Sequence, residues 1–171
     1  MTLEDEPLFG RDFDDQGSED HETEPMDRVI KRLVASAPFA VLCTQGQGQP
    51  YGSLVAFAFS EDLTTAVFAT PQATRKYRLL TECDRVALLI DNRPNHTDNM
   101  MQVEAVTVTG RATELERGAL FERFAKMLVS RHPYLKSFVR SESCSLFRVD
   151  ARRFLYVCRF QEVRQWIPQK P

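Results

Sequence analysis

The chain has 171 residues, 43% hydrophobic and 27% charged, the make-up of one ordinary water-soluble domain around a single core. No stretch approaches the roughly 18 apolar residues of a membrane span, and the N-terminus lacks the basic-then-apolar order of a secretory signal; a cytoplasmic protein without membrane attachment is expected. The net charge of -2 hides a split: ten of the 24 acids lie in residues 1–24 beside the single base Arg11, which leaves the remaining chain with 14 acids and 21 bases, a net of +7.

An acidic stretch so poor in aliphatic residues buries too little surface to offset its ordering entropy, so residues 1–24 are expected to be a disordered tail and residues 25–171 the folded domain. "EPMDRVIKRLVASAP" repeats Val29, Ile30, Leu33 and Val34 at helical spacing until Pro38 closes the segment. Phe39 to Thr44 and Tyr51 to Phe59 form a hairpin around Gly46, Gly48 and Pro50. "AVFAT" is a third strand, "TRKYRLLTECD" a helix of two or three turns, "RVALLI" an apolar strand, and "VEAVTVTGRATEL" alternates as a half-buried strand. From Leu115 to about Arg131 runs the longest helix, with Leu120, Phe121, Phe124, Met127 and Leu128 on one face. "CSLFRVDARRFLYVCRFQEVRQW" then reads as two β-rich runs divided by the polar "DARR". Short strands without regular β-α alternation predict a mainly β chain, a closed or partly closed barrel with peripheral helices.

Chemistry concentrates at "TPQATRKYRLL". Cations at a helix start are mildly unfavourable, because the N-terminus already carries partial positive charge. Arg75 and Lys76 there are either a solvated pair or, with Thr74, a site for one compact anion such as a phosphate monoester. A basic body also raises nucleic acid, but Phe57, Phe59 and Phe68 read as core rather than as a stacking surface, so no nucleic-acid partner is expected. Four scattered cysteines without a Cys-x-x-Cys pair, and three histidines clustered with none of them, predict reduced thiols and no metal site. His132, before Pro133, fits a helix C-cap; His96 sits in the polar loop "NRPNHTDNM". No Ser-His-Asp set, paired carboxylates or Walker loop is present, so any catalysis rests on a cofactor.

"FAVLCTQGQGQPYGSLVAFAF" followed by "AVFATPQATRKYRLLTECDRVALLI" resembles the pyridoxamine 5'-phosphate oxidase-like family of FMN-binding split barrels over about residues 28–111. The resemblance implies that Thr70, Thr74, Arg75 and Lys76 hold the FMN phosphate and ribityl chain. It implies that the backbone of Ser53, Leu54 and Val55 lies along the flavin ring, that Gln102 and Trp166 also contact the cofactor, and that FMN sits between the subunits of a homodimer. The inner-strand Arg and Lys of true pyridoxamine phosphate oxidases fall on Ser53 and Ala58. Their Gln-Val-Arg motif falls on Ala105 and Val106, with Gln102 and Val103 three residues early, and their C-terminal Arg-Leu-His is missing. A divergent FMN-dependent oxidoreductase with a small-molecule electron donor and acceptor is therefore expected; a haem-utilisation protein or a non-enzymatic flavin-binding module on the same fold are the alternatives.

Overall fold

The computed structural model describes residues 24–159 and 162–169; the acidic stretch assigned to the tail lies, up to residue 23, outside them. The described elements are helix α1 (Met26–Ser36), strands β1 (Phe39–Gly46), β2 (Gln49–Phe59) and β3 (Thr65–Pro71), helix α2 (Arg75–Glu82), strands β4 (Arg85–Asp91) and β5 (Ala105–Glu114), helices α3 (Ala119–Arg131) and α4 (Lys136–Arg140), and strands β6 (Cys144–Cys158) and β7 (Glu162–Trp166). Strand order β3-β2-β1-β4-β5-β6 closes on itself through β3–β6 pairing, giving a six-stranded antiparallel barrel with β7 added to the far half of β6. The barrel class is the expected one, and closure leaves strand edges in the ring only where β2 and β3 part. No helix among the described residues is long and apolar enough to cross a membrane.

The β1–β2 hairpin turns on Gln47 and Gly48, both at positive φ (53° and 78°), the backbone that a two-residue turn needs to match strand twist. α1 buries Val29, Ile30, Leu33 and Val34 against the barrel end where Glu104 meets Arg32. α2 closes the opposite end so tightly that a Cβ on Gly46 would come within 2.4 Å of Leu79 Cδ2. Between them lies an apolar interior containing Leu42, Phe57, Phe68, Leu88, Val108 and Phe154. A second cluster joins Phe121, Phe124, Ala125 and Leu128 of α3 to Ala58 and Val67. The helix starts at Ala119 rather than Leu115, and its buried stripe excludes Leu120, 45% exposed. Positions 121, 124, 125 and 128 keep the i, i+3, i+4, i+7 spacing that faces one side.

The "DARR" segment does not divide two strands. β6 runs unbroken through it, and the register against β5 shifts between Thr109 and Gly110, so that Gly110 faces Ala151 while Thr109 faces Arg153. Arg152 is the extra residue of a β-bulge, and the in-out alternation flips across it: Ala151 and Phe154 are buried whereas Arg152 and Arg153 both lie outside. Gly110 is required there, because a Cβ would sit 2.5 Å from the Asp150 carbonyl oxygen.

His132 caps α3 as expected, its N–H donating to Leu128 O. Its buried ring is occupied on both sides, Nε2 at 2.9 Å from Phe57 O and Nδ1 at 3.4 Å from the Tyr134 hydroxyl. Arg131 beside it donates to Val34 O and Ala37 O. The pair ties the end of α1 to α3 and β2, a structural role.

Candidate functional site

β2 and β3 stay paired only over Phe57–Phe59 and Ala66–Phe68. Beyond Phe68, β3 continues to pair with β6 as far as Pro71, while β2 stays with β1 down to the hairpin turn. The two strands therefore part, and α2 begins at the head of the seam. Thr70, fully buried, ends β3, and a turn brings Thr74 back over it. Thr74 Oγ1 donates to Pro71 O at 2.8 Å and caps α2 by accepting from Tyr77 N. Its one hydroxyl proton being used, the 3.1 Å contact with Thr70 Oγ1 is a bond that Thr70 donates.

α2 has no acid in its first turn; Arg75 and Lys76 stand there instead. Lys76 reaches across the seam and donates to Leu54 O at 3.0 Å, and burial pushes its ammonium below the ordinary lysine pKa. Arg75 lies over the Tyr51 ring, 4.9 Å from its centroid. Ser53, Leu54 and Val55 line the other side on β2. Val55 points into the barrel, Leu54 is 64% exposed, and the buried Ser53 Oγ has no hydrogen-bond partner among the described residues. Seven of the nine site residues read from the sequence thus meet at one seam, with a helix start, two hydroxyls and two cations.

Gln102 and Trp166 are elsewhere in this chain. Gln102 lies in a 3-10 turn, Met100–Gln102, exposed and 3.2 Å from His96 Nδ1. It borders a cavity of about 410 Å3 shared with Glu104, Tyr156, Cys158 and Arg164. Trp166 pairs with Phe154 and packs edge-on against its ring at 5.2 Å. Phe154 is nine positions along β6 from Ser145, the partner of Thr70, roughly 25–30 Å of strand.

Two polar networks escaped the sequence reading. Under α2, the Glu114 carboxylate accepts from the Tyr77 hydroxyl at 3.1 Å and from the Ser145 hydroxyl at 2.5 Å, and Gln72 Nε2 donates to Ser145 Oγ. At the α1 end, Glu104 accepts from the Tyr156 hydroxyl, Arg32 and Asn92 Nδ2, while its own N–H donates to Asn92 Oδ1. Burial, then the Glu104 carboxylate, push the Tyr156 phenol far above its ordinary pKa. Tyr51 is the third omission; its place across the hairpin from Thr44 was legible, its stacking on Arg75 was not.

The outer face of the sheet is apolar along Leu54, its neighbour Val41 and, one strand further, Leu89. Phe39 and Val163 are 45% and 42% exposed.

Solved structures share this architecture at low sequence identity. A haem-binding protein from Mycobacterium smegmatis superposes with a TM-score of 0.75 at 16% identity over 84% of this chain, which spans 58% of that longer protein. A haem storage protein from Vibrio cholerae gives 0.65 at 16% identity, covering 82% of this chain and 92% of its own. An FAD-binding protein from Mesorhizobium loti gives 0.60 at 15% identity, covering 74% and 89%. No curated protein matches the sequence. Residues 26–166 match the profile described as pyridoxamine 5'-phosphate oxidase; over most of its length, this chain belongs to that family, as a divergent member.

Proposed function

We propose that the chain is an FMN-binding flavoprotein, acting as a flavin-dependent oxidoreductase on a small molecule. The observation that carries this reading is the seam itself: Thr70, Thr74, Arg75 and Lys76 surround a helix start that carries no acid, and Lys76 already spans to the β2 backbone. A phosphate dianion suits two cations at a helix N-terminus, and the two threonine hydroxyls, now bonded within the protein, can turn a proton to it. The residues fit the rest of the cofactor too, since the orphaned Ser53 Oγ and the β2 backbone at Leu54 and Val55 offer hydrogen-bonding partners for a flat polar ring. When bound, the flavin supplies electron transfer between a reduced donor and an acceptor; the chain's own residues hold the phosphate, orient the ring and exclude water.

The apolar outer strip from Leu54 to Leu89 supports a homodimer, because contiguous exposed apolar surface marks an association site. Gln102 and Trp166, remote from the seam within one chain, reach a flavin only across a subunit boundary, and the reading places them there. The domain would comprise residues 25–171.

The test is FMN titration of an Arg75→Ala/Lys76→Ala variant, followed by flavin fluorescence. Affinity is expected to fall by about 2–4 kcal/mol, some 30- to 1000-fold, taking charged hydrogen bonds at about 1.5–3 kcal/mol each with incomplete additivity. Unchanged affinity refutes the site.

Haem binding is the second reading, favoured by the haem proteins that share the fold. With His132 buried and bonded at both ring nitrogens, its histidine ligand among the described residues would be the half-buried His96. A haemin titration without a Soret shift, or with one indifferent to His96→Ala, removes it.

A further inference from the structure

We propose that the groove between α3 and α4 binds the chain's own acidic segment, residues 4–15. The two helices meet there at helical spacing: Ala125, Lys126 and Val129 of α3 and Lys136, Val139 and Arg140 of α4 line a cavity of about 470 Å3. Ala125 and Val139 are buried and give it an apolar floor. Arg123, Lys126, Lys136 and Arg140 stand exposed along its rim. Among the described residues its single lining acid, Glu122, is paired with Arg140 at 3.0 Å. Four bases against that one acid leave the groove at a net +3.

The segment has the matching chemistry. "EDEPLFGRDFDD" carries six acids against the one base Arg11, with Leu8, Phe9 and Phe13 among them. Exposed ion pairs alone hold a peptide weakly, so the floor matters as much as the rim: Phe9 and Phe13 have rings to bury on it. A stretch too poor in apolar side chains to fold by itself orders on a surface that supplies the missing burial. The reach is sufficient. Glu24, the first described residue, is fixed to Arg32 of α1 at 2.7 Å. From there α1 runs roughly 16 Å, and Arg131 bonds its far end to the last turn of α3, next to Ser130 on the groove. Phe13 lies eleven residues before Glu24, enough for roughly 36 Å of extended chain. The seam is at the α2 end of the barrel, and the groove shares no residue with it.

Amide 1H–15N spectra of the full chain without flavin test this. In Phe9→Ser/Phe13→Ser the peaks of Ala125, Lys126 and Val139 are expected to move, in the direction in which high salt moves them in the wild type. Lys126→Glu/Lys136→Glu should shift the Phe9 peak toward its high-salt position, and adding Asp12→Lys/Asp14→Lys should bring it part of the way back, because reversing both signs restores the attraction. Groove peaks indifferent to the phenylalanine substitutions, or a Phe9 peak that the second reversal does not return, overturn the proposal. So do responses confined to residues 74–76 or 151–153, which put the segment at the seam or on the bulge, and responses that grow with protein concentration, which make the occupant the segment of a second copy. FMN affinity is measured separately, so failure here leaves the flavin reading untouched.

Discussion

The two ends of the barrel treat charge in opposite ways. At the α1 end, the Glu104 carboxylate accepts from three donors, Arg32, Asn92 and Tyr156, while its own N–H donates to Asn92 Oδ1, and every member of the knot has a partner. At the α2 end, two cations stand at a helix start that already carries positive charge, with a backbone carbonyl and a tyrosine ring as their partners. Buried polar groups that are satisfied stabilise a fold; groups arranged against local electrostatics stay that way when a ligand of opposite sign completes them. One end holds the barrel together, and the other has the charge that the proposed phosphate would complete.

The largest effect is expected from breaking the satisfied end. Glu104→Leu strands the Tyr156 hydroxyl, Asn92 Nδ2 and one arm of Arg32. That should cost about 2–4 kcal/mol, mostly from unmade hydrogen bonds, or about 5–10 °C in the melting temperature for a domain of this size. FMN affinity, measured where the variant is folded, should stay within about twofold. A large loss of affinity would mean that the two ends are coupled.

Lys76→Met sharpens the other side. Removing a partly desolvated ammonium with one carbonyl partner should leave thermal stability within about 1 kcal/mol, while FMN binds roughly 10- to 100-fold more weakly for want of one charged contact of about 1.5–3 kcal/mol. A variant that melts much lower without losing affinity would recast Lys76 as a structural strut across the seam.

Alkaline pH separates the ends by sign. The folded pKa of Lys76 is lowered, so between that value and the unfolded value near 10.4 the unfolded chain binds more protons and stability rises with pH. Tyr156 is raised: its contribution is complete below the unfolded phenol value near 10 and is lost as pH climbs toward the folded one. Chemical denaturation from pH 8 to 11 should therefore show a shallower alkaline loss in Tyr156→Phe and a weakened rising component in Lys76→Met. Curves parallel to wild type in both would remove these groups from the alkaline response.

Much of the α2 end was legible because its residues are contiguous in the sequence. Thr70 to Lys76 span a strand end, a turn and a helix start, each with its own local signal, and Ser53–Val55 followed from the resemblance. What stayed hidden depends on pairing between distant strands. Glu104 and Tyr156 are 52 residues apart, Glu114 and Ser145 31 apart, and no spacing along the chain announces either. "DARR" misled for a related reason: a bulge inverts the alternation from which strands are read, so an unbroken β6 looked like two. Gln102 and Trp166 lie away from the seam in this chain; under the proposed reading they meet it only from a second subunit, and one sequence carries no geometry between copies.

The smallest expected effect concerns Tyr51, which no motif marks. Its ring holds the Arg75 guanidinium from one side, a contact worth about 0.5–1 kcal/mol at an exposed site. If that contact presents Arg75 to the phosphate, Tyr51→Leu should weaken FMN binding about two- to fivefold and Tyr51→Phe should restore most of it, since the ring face and not the hydroxyl does the holding. In the Arg75→Ala background Tyr51→Leu should then add nothing, because the ring acts only through the arginine. A loss of the same size in both backgrounds would instead put the tyrosine against the cofactor itself.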